Sequence, residues 1–154
     1  MEKEELAEFI GIYLGDGYLS KINYEISIVC GLIDKPYITK FVPELMGKIF
    51  HKKPTISYFK NSLGIKCRLY SKKGIDILKK KYHINSGAKT NPKIPKNFFN
   101  NNKLLKSCLR GLIDTDGGIH RHHVNSIQLK FDNKSYKLIS SLENAFLQLG
   151  FNPR

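Results

Sequence analysis

The sequence predicts an α+β protein: two pseudo-symmetric αββαββα-type repeats that meet through a pair of helices, with the second repeat cut short. Three observations lead there. Phe9-Ile10-Gly11-Ile12-Tyr13-Leu14-Gly15-Asp16-Gly17 returns as Leu109-Arg110-Gly111-Leu112-Ile113-Asp114-Thr115-Asp116-Gly117, offset by 100 positions, and an internal repeat constrains the architecture before any single element does. Each copy carries small residues four apart in an apolar helical stretch, Gly11/Gly15 and Gly111/Thr115. That spacing puts both on one helical face and lets two backbones approach closely. Between the helices, apolar and polar residues alternate with the period of strands.

In chain order, the first helix covers about residues 4–16, with glutamates at 2, 4 and 5 at its positive N-terminal end. Strands follow near 18–22 and 25–32, the second alternating Glu25/Ser27/Val29 with Ile26/Ile28/Cys30. A helical region near 35–50 contains Pro43, which breaks or kinks it. Strands near 54–60 and 65–71 flank the turn Asn61-Ser62-Leu63-Gly64, and a basic helix near 73–82 closes the first half. The stretch from His83 to Lys103, with Gly87, Pro92, Pro95 and Asn100-Asn101-Asn102, reads as a linker. The expected units are therefore 1–82, a linker over 83–103, and a partial repeat over 104–154 whose motif helix spans about 103–116.

Strand periodicity assigns faces. Ile65, Cys67 and Leu69 point to a core, and Lys66, Arg68 and Tyr70 point away; Ile127, Leu129 and Phe131 are expected inside, with Ser126, Gln128 and Lys130 outside. Tyr18, Ser20 and Ile22 on one hairpin, Ser27 beside them, and His120 and His122 on the counterpart hairpin share that outer face. Such side chains supply donors and acceptors for phosphates and base edges, and a β-ribbon fits the major groove.

The motif ends have an electrostatic consequence. Gly17 and Gly117 read as left-handed caps that leave Asp16 and Asp116 at helix C-termini. Each carboxylate then faces the negative end of a helix dipole and, across the helix pair, a like charge, both of which oppose ionisation. A divalent cation resolves the conflict, and oxygen donors suit Mg²⁺ better than Zn²⁺.

Both copies resemble the motif of the LAGLIDADG homing endonucleases, although the first has Leu14 where the motif has its inner Asp and Gly15 where it has Ala. Lys93-Ile94-Pro95-Lys96 is similar to the basic Lys-x-Pro link between the halves of two-motif members. The resemblance implies a site-specific double-strand DNA endonuclease whose sheets form a DNA-binding saddle. It implies catalysis by Asp16 and Asp116 around Mg²⁺, with Ca²⁺ or Mn²⁺ as substitutes and Gly15 and Thr115 at the metal, and with Lys93 orienting water or neutralising phosphate. Unequal halves imply a long, non-palindromic target. An RNA-splicing maturase and a non-cleaving DNA-binding regulator are the alternatives on the same fold. An intein origin is not expected, given Met1-Glu2 at the start and no splicing nucleophile at either end.

Composition agrees with a polyanionic partner: 26 Lys+Arg against 13 Asp+Glu give +13 over 154 residues. No apolar run is long enough for a membrane span and the start is unlike a signal peptide, so an intracellular, soluble protein is expected. Cys30, Cys67 and Cys108 read as reduced core residues, and His120, His122 and His123 lack the second ligand pair of a zinc site. In the second half, Asn133-Lys134-Ser135-Tyr136 echoes Asp34-Lys35-Pro36-Tyr37, and Leu138, Ile139, Leu142, Phe146 and Leu149 form an amphipathic helix. A full repeat needs a further hairpin and helix, from a second chain or a missing C-terminal segment.

Overall fold

The computed structural model describes residues 3–60 and 62–154, so Met1, Glu2 and the Asn61 of the expected turn lie outside the described residues. Helix α1 (Lys3–Asp16) is buried at every position from Leu6 to Leu14. A helix apolar on all sides is central, and this one lies between a sheet and helix α4 (Asn102–Asp116). The sheet has the order β1-β2-β4-β3 and is antiparallel throughout, formed by β1 (Gly17–Leu19), β2 (Glu25–Gly31), β3 (Thr55–Tyr58) and β4 (Gly64–Tyr70). Helix α2 (Val42–Phe50) connects β2 to β3, and α3 (Lys72–Tyr82) follows β4. After α4 come a two-stranded sheet, β5 (Gly117–His123) with β6 (Ser126–Phe131), and helix α5 (Tyr136–Gln148). Among the described residues, five α-helices and two antiparallel sheets make the α+β architecture that the sequence predicts.

The helix pair shows the internal symmetry in atomic detail. A Cβ on Gly11 would stand 2.0 Å from the Cys108 carbonyl oxygen, and one on Gly111 would stand 2.2 Å from that of Glu8. Residues 8 and 108, like 11 and 111, are equivalents under the 100-residue offset. Backbone lies directly on backbone, which only glycine permits. One contact breaks the symmetry: Arg110 of α4 holds Glu8 of α1 with both arms of its guanidinium, Nε donating to Oε1 at 2.6 Å and Nη2 to Oε2. Glu8 is 3% exposed, so removing Arg110 would strand a buried charge.

Several expectations are corrected. Gly17 and Gly117 are not left-handed caps: the only positive-φ glycines among the described residues are Gly87 and Gly150, and Gly117 is extended at φ −99°, ψ 164°. Each motif helix runs straight into a strand. Glycine is required there because a Cβ would strike the preceding turn, at 2.2 Å from a Tyr13 ring carbon and 2.6 Å from the Ile113 carbonyl oxygen.

Strand β1 ends at Leu19, so Ser20 and Ile22 lie in the turn and not on the strand face. The Ser20 hydroxyl accepts from the backbone N–H of Ile22 and Asn23, local turn bonding that competes with the ladder. Before α2, Tyr37–Phe41 forms a π-helical turn, and Pro43, lacking an N–H, falls in the first turn of α2, where none is needed. Helix α4 starts earlier than expected because Asn101 caps it, its side chain accepting from Lys103 and Leu104 N–H.

The second hairpin departs most. Ile127 is 78% exposed, and Ile119 and Leu129 are exposed with it, where Ile127 and Leu129 were expected inside. Alternation decides which side chains share a face, but a two-stranded sheet needs a covering layer before either face is interior. His122 also leaves the register, because a bulge after Arg121 pairs His123 with Ser126.

Candidate active site at the helix pair

Close packing of α1 and α4 brings their C-termini together. A Cβ on Gly15 would lie 2.1 Å from the Thr115 hydroxyl and 3.2 Å from the Asp116 carboxyl carbon, so Gly15, Thr115 and Asp116 are immediate neighbours. Position 15, where the first copy departs from Ala, thus leaves no room for a side chain: a Cβ there would also stand 2.7 Å from the Thr115 Cβ.

Asp16 and Asp116 are half-buried and stand in different surroundings. Asp116 accepts a 2.7 Å hydrogen bond from the Asn133 amide. The counterpart of Asn133 in the sequence echo is Asp34, whose charge works against Asp16. Asp16 has instead the Cys30 thiol, donating at 3.6 Å. Burial, then Asp116, push the Asp16 pKa up to about 6, against the partial relief of Cys30 and Lys89. The Cys30 thiol is itself pushed up to about 12, first by burial and then by Asp16, which keeps it a donor.

The basic group at this site is Lys89. Its ammonium donates to the carbonyls at the end of α1, 3.3 Å to Tyr13 and 2.9 Å to Leu14, and also to Gly15. It neutralises the negative end of the helix dipole beside both carboxylates. Burial draws its pKa down, while Asp116 and Asp16 oppose that shift. Lys93, the residue expected in this place, is exposed on the wall of a cavity that Lys89 also lines. The fold brings Lys89 in through a bridge between Gly87 and Leu19, the Gly87 N–H donating to the Leu19 carbonyl at 2.7 Å. Nothing in the local pattern around Lys89 marks this pairing.

On the four-stranded sheet, Tyr18, Ser27 and Arg68 stand side by side across three strands, and Lys66 and Tyr70 share their face. Two features differ from a simple basic surface. Ser27 is only 1% exposed, so its side chain is part of the sheet's packing. Glu25, buried on the same face, accepts from Lys66 and from the Tyr70 hydroxyl, both at 3.2 Å, and lies 3.8 Å from Arg68. Burial alone would raise the Glu25 pKa; Lys66, with Ser27 and Tyr70, holds it below its ordinary value. On the second sheet His120 pairs with Gln128 and Lys130 with Gly118, so His120, Gln128 and Lys130 share an exposed face, with Ser126 and His122 exposed near the tip.

Hard oxygen donors therefore converge here: two carboxylates, Asp16 kept from easy ionisation by burial and then by Asp116, with the Gly15 and Thr115 backbone beside them. That donor set fits an oxygen-seeking divalent cation. Among the described residues no group of three or more His, Cys, Asp or Glu is placed to hold a metal, so further ligands would come from carbonyls, water or a bound phosphate.

The Asp16 pKa has a measurable consequence. Its folded-state value lies above the roughly 3.9 of an unfolded Asp, so the stability this group contributes is fully present below about pH 4 and is lost as pH rises through about 6. In EDTA, Asp16→Asn is expected to raise the melting temperature over the parent at pH 7.5 and to leave it nearly unchanged at pH 4. An equal shift at both values would remove the charge explanation.

Comparisons with known proteins agree with this architecture. No family model matches the sequence. The replication factor C small subunit of Methanocaldococcus jannaschii is 28% identical over 130 residues, covering 79% of this chain; the chain spans only 6% of that protein's length. Among solved structures, the fold is that of the homing endonuclease I-DmoI. A structure of I-DmoI variants matches 96% of this chain and 73% of its own at a TM-score of 0.61 and 17% identity. I-DmoI with DNA and calcium gives the same TM-score, coverage and identity. I-DmoI with DNA and manganese matches 97% of this chain and 80% of its own at 0.59 and 17% identity. Among the described residues no helix is long and apolar enough to cross a membrane.

Proposed function

We propose that this protein is a site-specific double-strand DNA endonuclease of the homing-endonuclease kind. The observation that carries the reading is the pair Asp16 and Asp116 at the joined ends of two glycine-packed helices, between two strand surfaces rich in Lys, Arg, His, Tyr and Gln. On this reading residues 1–82 and 104–154 are the two repeats and 83–103 joins them. Folds similar to it include one holding DNA and manganese and one holding DNA and calcium.

Asp16 and Asp116, with the carbonyls of Gly15 and Thr115, would hold Mg²⁺, with Mn²⁺ or Ca²⁺ as substitutes. A bound cation of this class lowers the pKa of water and stabilises charge on the leaving oxygen. This chain's residues do the rest. Cys30 and Asn133 fix the two carboxylates in orientation, each donating to one Oδ2. Lys89 holds the α1 carbonyls and carries positive charge toward a scissile phosphate. Lys89→Met is expected to slow cleavage at least tenfold, and Lys93→Met to change it little. The reverse ranking in a supercoiled-plasmid assay would return the role to Lys93.

Tyr18, Lys66, Arg68 and Tyr70 on one sheet, and His120, Gln128 and Lys130 on the other, make the DNA surface. Four strands against two, with different side chains, support a long non-palindromic target. Ile119, Ile127 and Leu129 form an exposed apolar face that a covering layer would bury. With about six phosphate contacts, log K should fall against log salt with a slope of roughly −5. Arg68→Ala should weaken binding, while Glu25→Gln, which frees Lys66 and Arg68 from their carboxylate, should tighten it several-fold at low salt. Binding indifferent to salt and to both changes excludes this face. Incubating the protein with a random-sequence plasmid library and Mg²⁺, then mapping broken ends, tests the activity. Targets that are bound but never cut would favour a maturase or regulator.

A further inference from the structure

A cavity of about 650 Å³ lies beside the catalytic helix pair, walled by the last turns of α1, the end of α3 and the segment 89–97. Its volume is that of a small-molecule site. Lys81, His83, Lys89, Lys93 and Lys96 line it, and no carboxylate does. Two of the ammonium groups are set over aromatic rings of the wall: Lys89 over Tyr13 at 5.8 Å and Lys81 over Tyr82 at 5.6 Å. Those contacts restrict the long side chains.

The wall itself is built. Tyr82, Ile84, Ile94 and Pro95 are buried, Tyr82 packs on Phe98 at 5.5 Å, and the Ile94 N–H donates to Ser141 of α5 at 3.2 Å. Lysines usually spread over a surface and pair with nearby acids. Here four line one concave space with no acid on its lining; Lys89 already meets the α1 carbonyls and the charge of Asp116 and Asp16, which leaves Lys81, Lys93 and Lys96 exposed along the rim to meet an anion. The tetrahedral, multiply charged phosphate group suits several ammonium donors arriving from different directions.

We propose that this cavity is a phosphate-binding site, filled by a backbone phosphate of bound duplex DNA or by a free polyphosphate such as a nucleotide's.

The test uses the whole chain in EDTA, so that its outcome does not depend on whether the protein cuts DNA. Inorganic pyrophosphate and a short nonspecific duplex are titrated calorimetrically into the parent, into Lys81→Ala with Lys96→Ala, and into Lys81→Arg with Lys96→Arg. Lys103→Ala with Lys106→Ala, two exposed lysines on α4, removes the same charge elsewhere. Pyrophosphate affinity is expected to fall at least tenfold in the Lys81, Lys96 alanine pair and to survive in the arginine pair and in the α4 pair. If the duplex salt slope also becomes shallower by about 2 in that alanine pair alone, the occupant is the DNA backbone. A duplex slope that stays put with pyrophosphate binding lost assigns the site to a free polyphosphate. No pyrophosphate binding by the parent, retention in the Lys81, Lys96 alanine pair, or an equal loss in the α4 pair overturns the proposal.

Discussion

The Asp16→Asn, Asp116→Asn double variant is expected to bind DNA at least as well as the parent and to cut none of it. Asparagine keeps the shape of aspartate and removes the charge that would recruit a cation. It also removes repulsion within the pair, which with burial lifts the Asp16 pKa to about 6, and repulsion toward DNA phosphates. The single variants should differ from each other. Asp116 already accepts from the Asn133 amide, so Asp116→Asn places two amides face to face unless one flips, whereas Asp16→Asn faces only a thiol at 3.6 Å. Asp16→Asn is therefore the better folded of the two, and slow nicking of one strand is the expected residual activity of each. Gel shift and supercoiled-plasmid cleavage on one target, in Mg²⁺, Ca²⁺ and EDTA, read both properties. Undiminished cutting by the double variant would place the chemistry elsewhere.

Gly11→Ala is expected to destabilise the fold even though alanine is the better helix former. The propensity gain is about 1 kcal/mol. Against it stands a Cβ 2.0 Å from the Cys108 carbonyl oxygen and 2.8 Å from the Leu112 nitrogen, main-chain atoms of a packed helix that have no rotamer to escape into. Overpacking of that kind costs about 1–3 kcal/mol for ordinary insertions, and Gly11→Leu should reach about 3 kcal/mol or more, a melting shift on the order of 10 °C for a chain of this size. Gly47 of α2 provides the internal control. A Cβ there meets nothing nearer than 3.7 Å, so Gly47→Ala should stabilise by the propensity difference. If Gly11→Ala and Gly47→Ala melt alike, the helix pair is looser than its geometry indicates.

These two predictions concern residues that can be singled out in the sequence, because both belong to a pattern repeated at a fixed offset. Small residues four apart, an Asp ending each helix, and alternating strands are local periodicities, and local periodicity follows from the geometry of helix and strand. The same holds for the inward set Ile65, Cys67 and Leu69, all three buried. Lys89 is different. It reaches the Gly15 carbonyl across 74 positions, from a linker whose composition marks it only as irregular. Cys30 reads as one more apolar strand residue, and Asn133 as part of the echo of Asp34-Lys35-Pro36-Tyr37, until the sheet and helices set them against Asp16 and Asp116. Glu25 falls on the side of β2 opposite Ile26, Ile28 and Cys30 in the alternation, and is nonetheless buried, accepting from Lys66 and Tyr70.

Repetition and strand alternation were thus sufficient for the α+β class, the paired helices and the two acidic residues that end them, since each depends on spacing along the chain. Which cation stands beside those acids, which donor orients each one, and which strand faces are covered depended on the packing of distant segments. The exposed Ile127 and the buried Glu8, held by Arg110 from the other helix, illustrate it. An apolar side chain is interior only if another layer lies over it, and a buried charge is tolerated only where its partner arrives from across the fold.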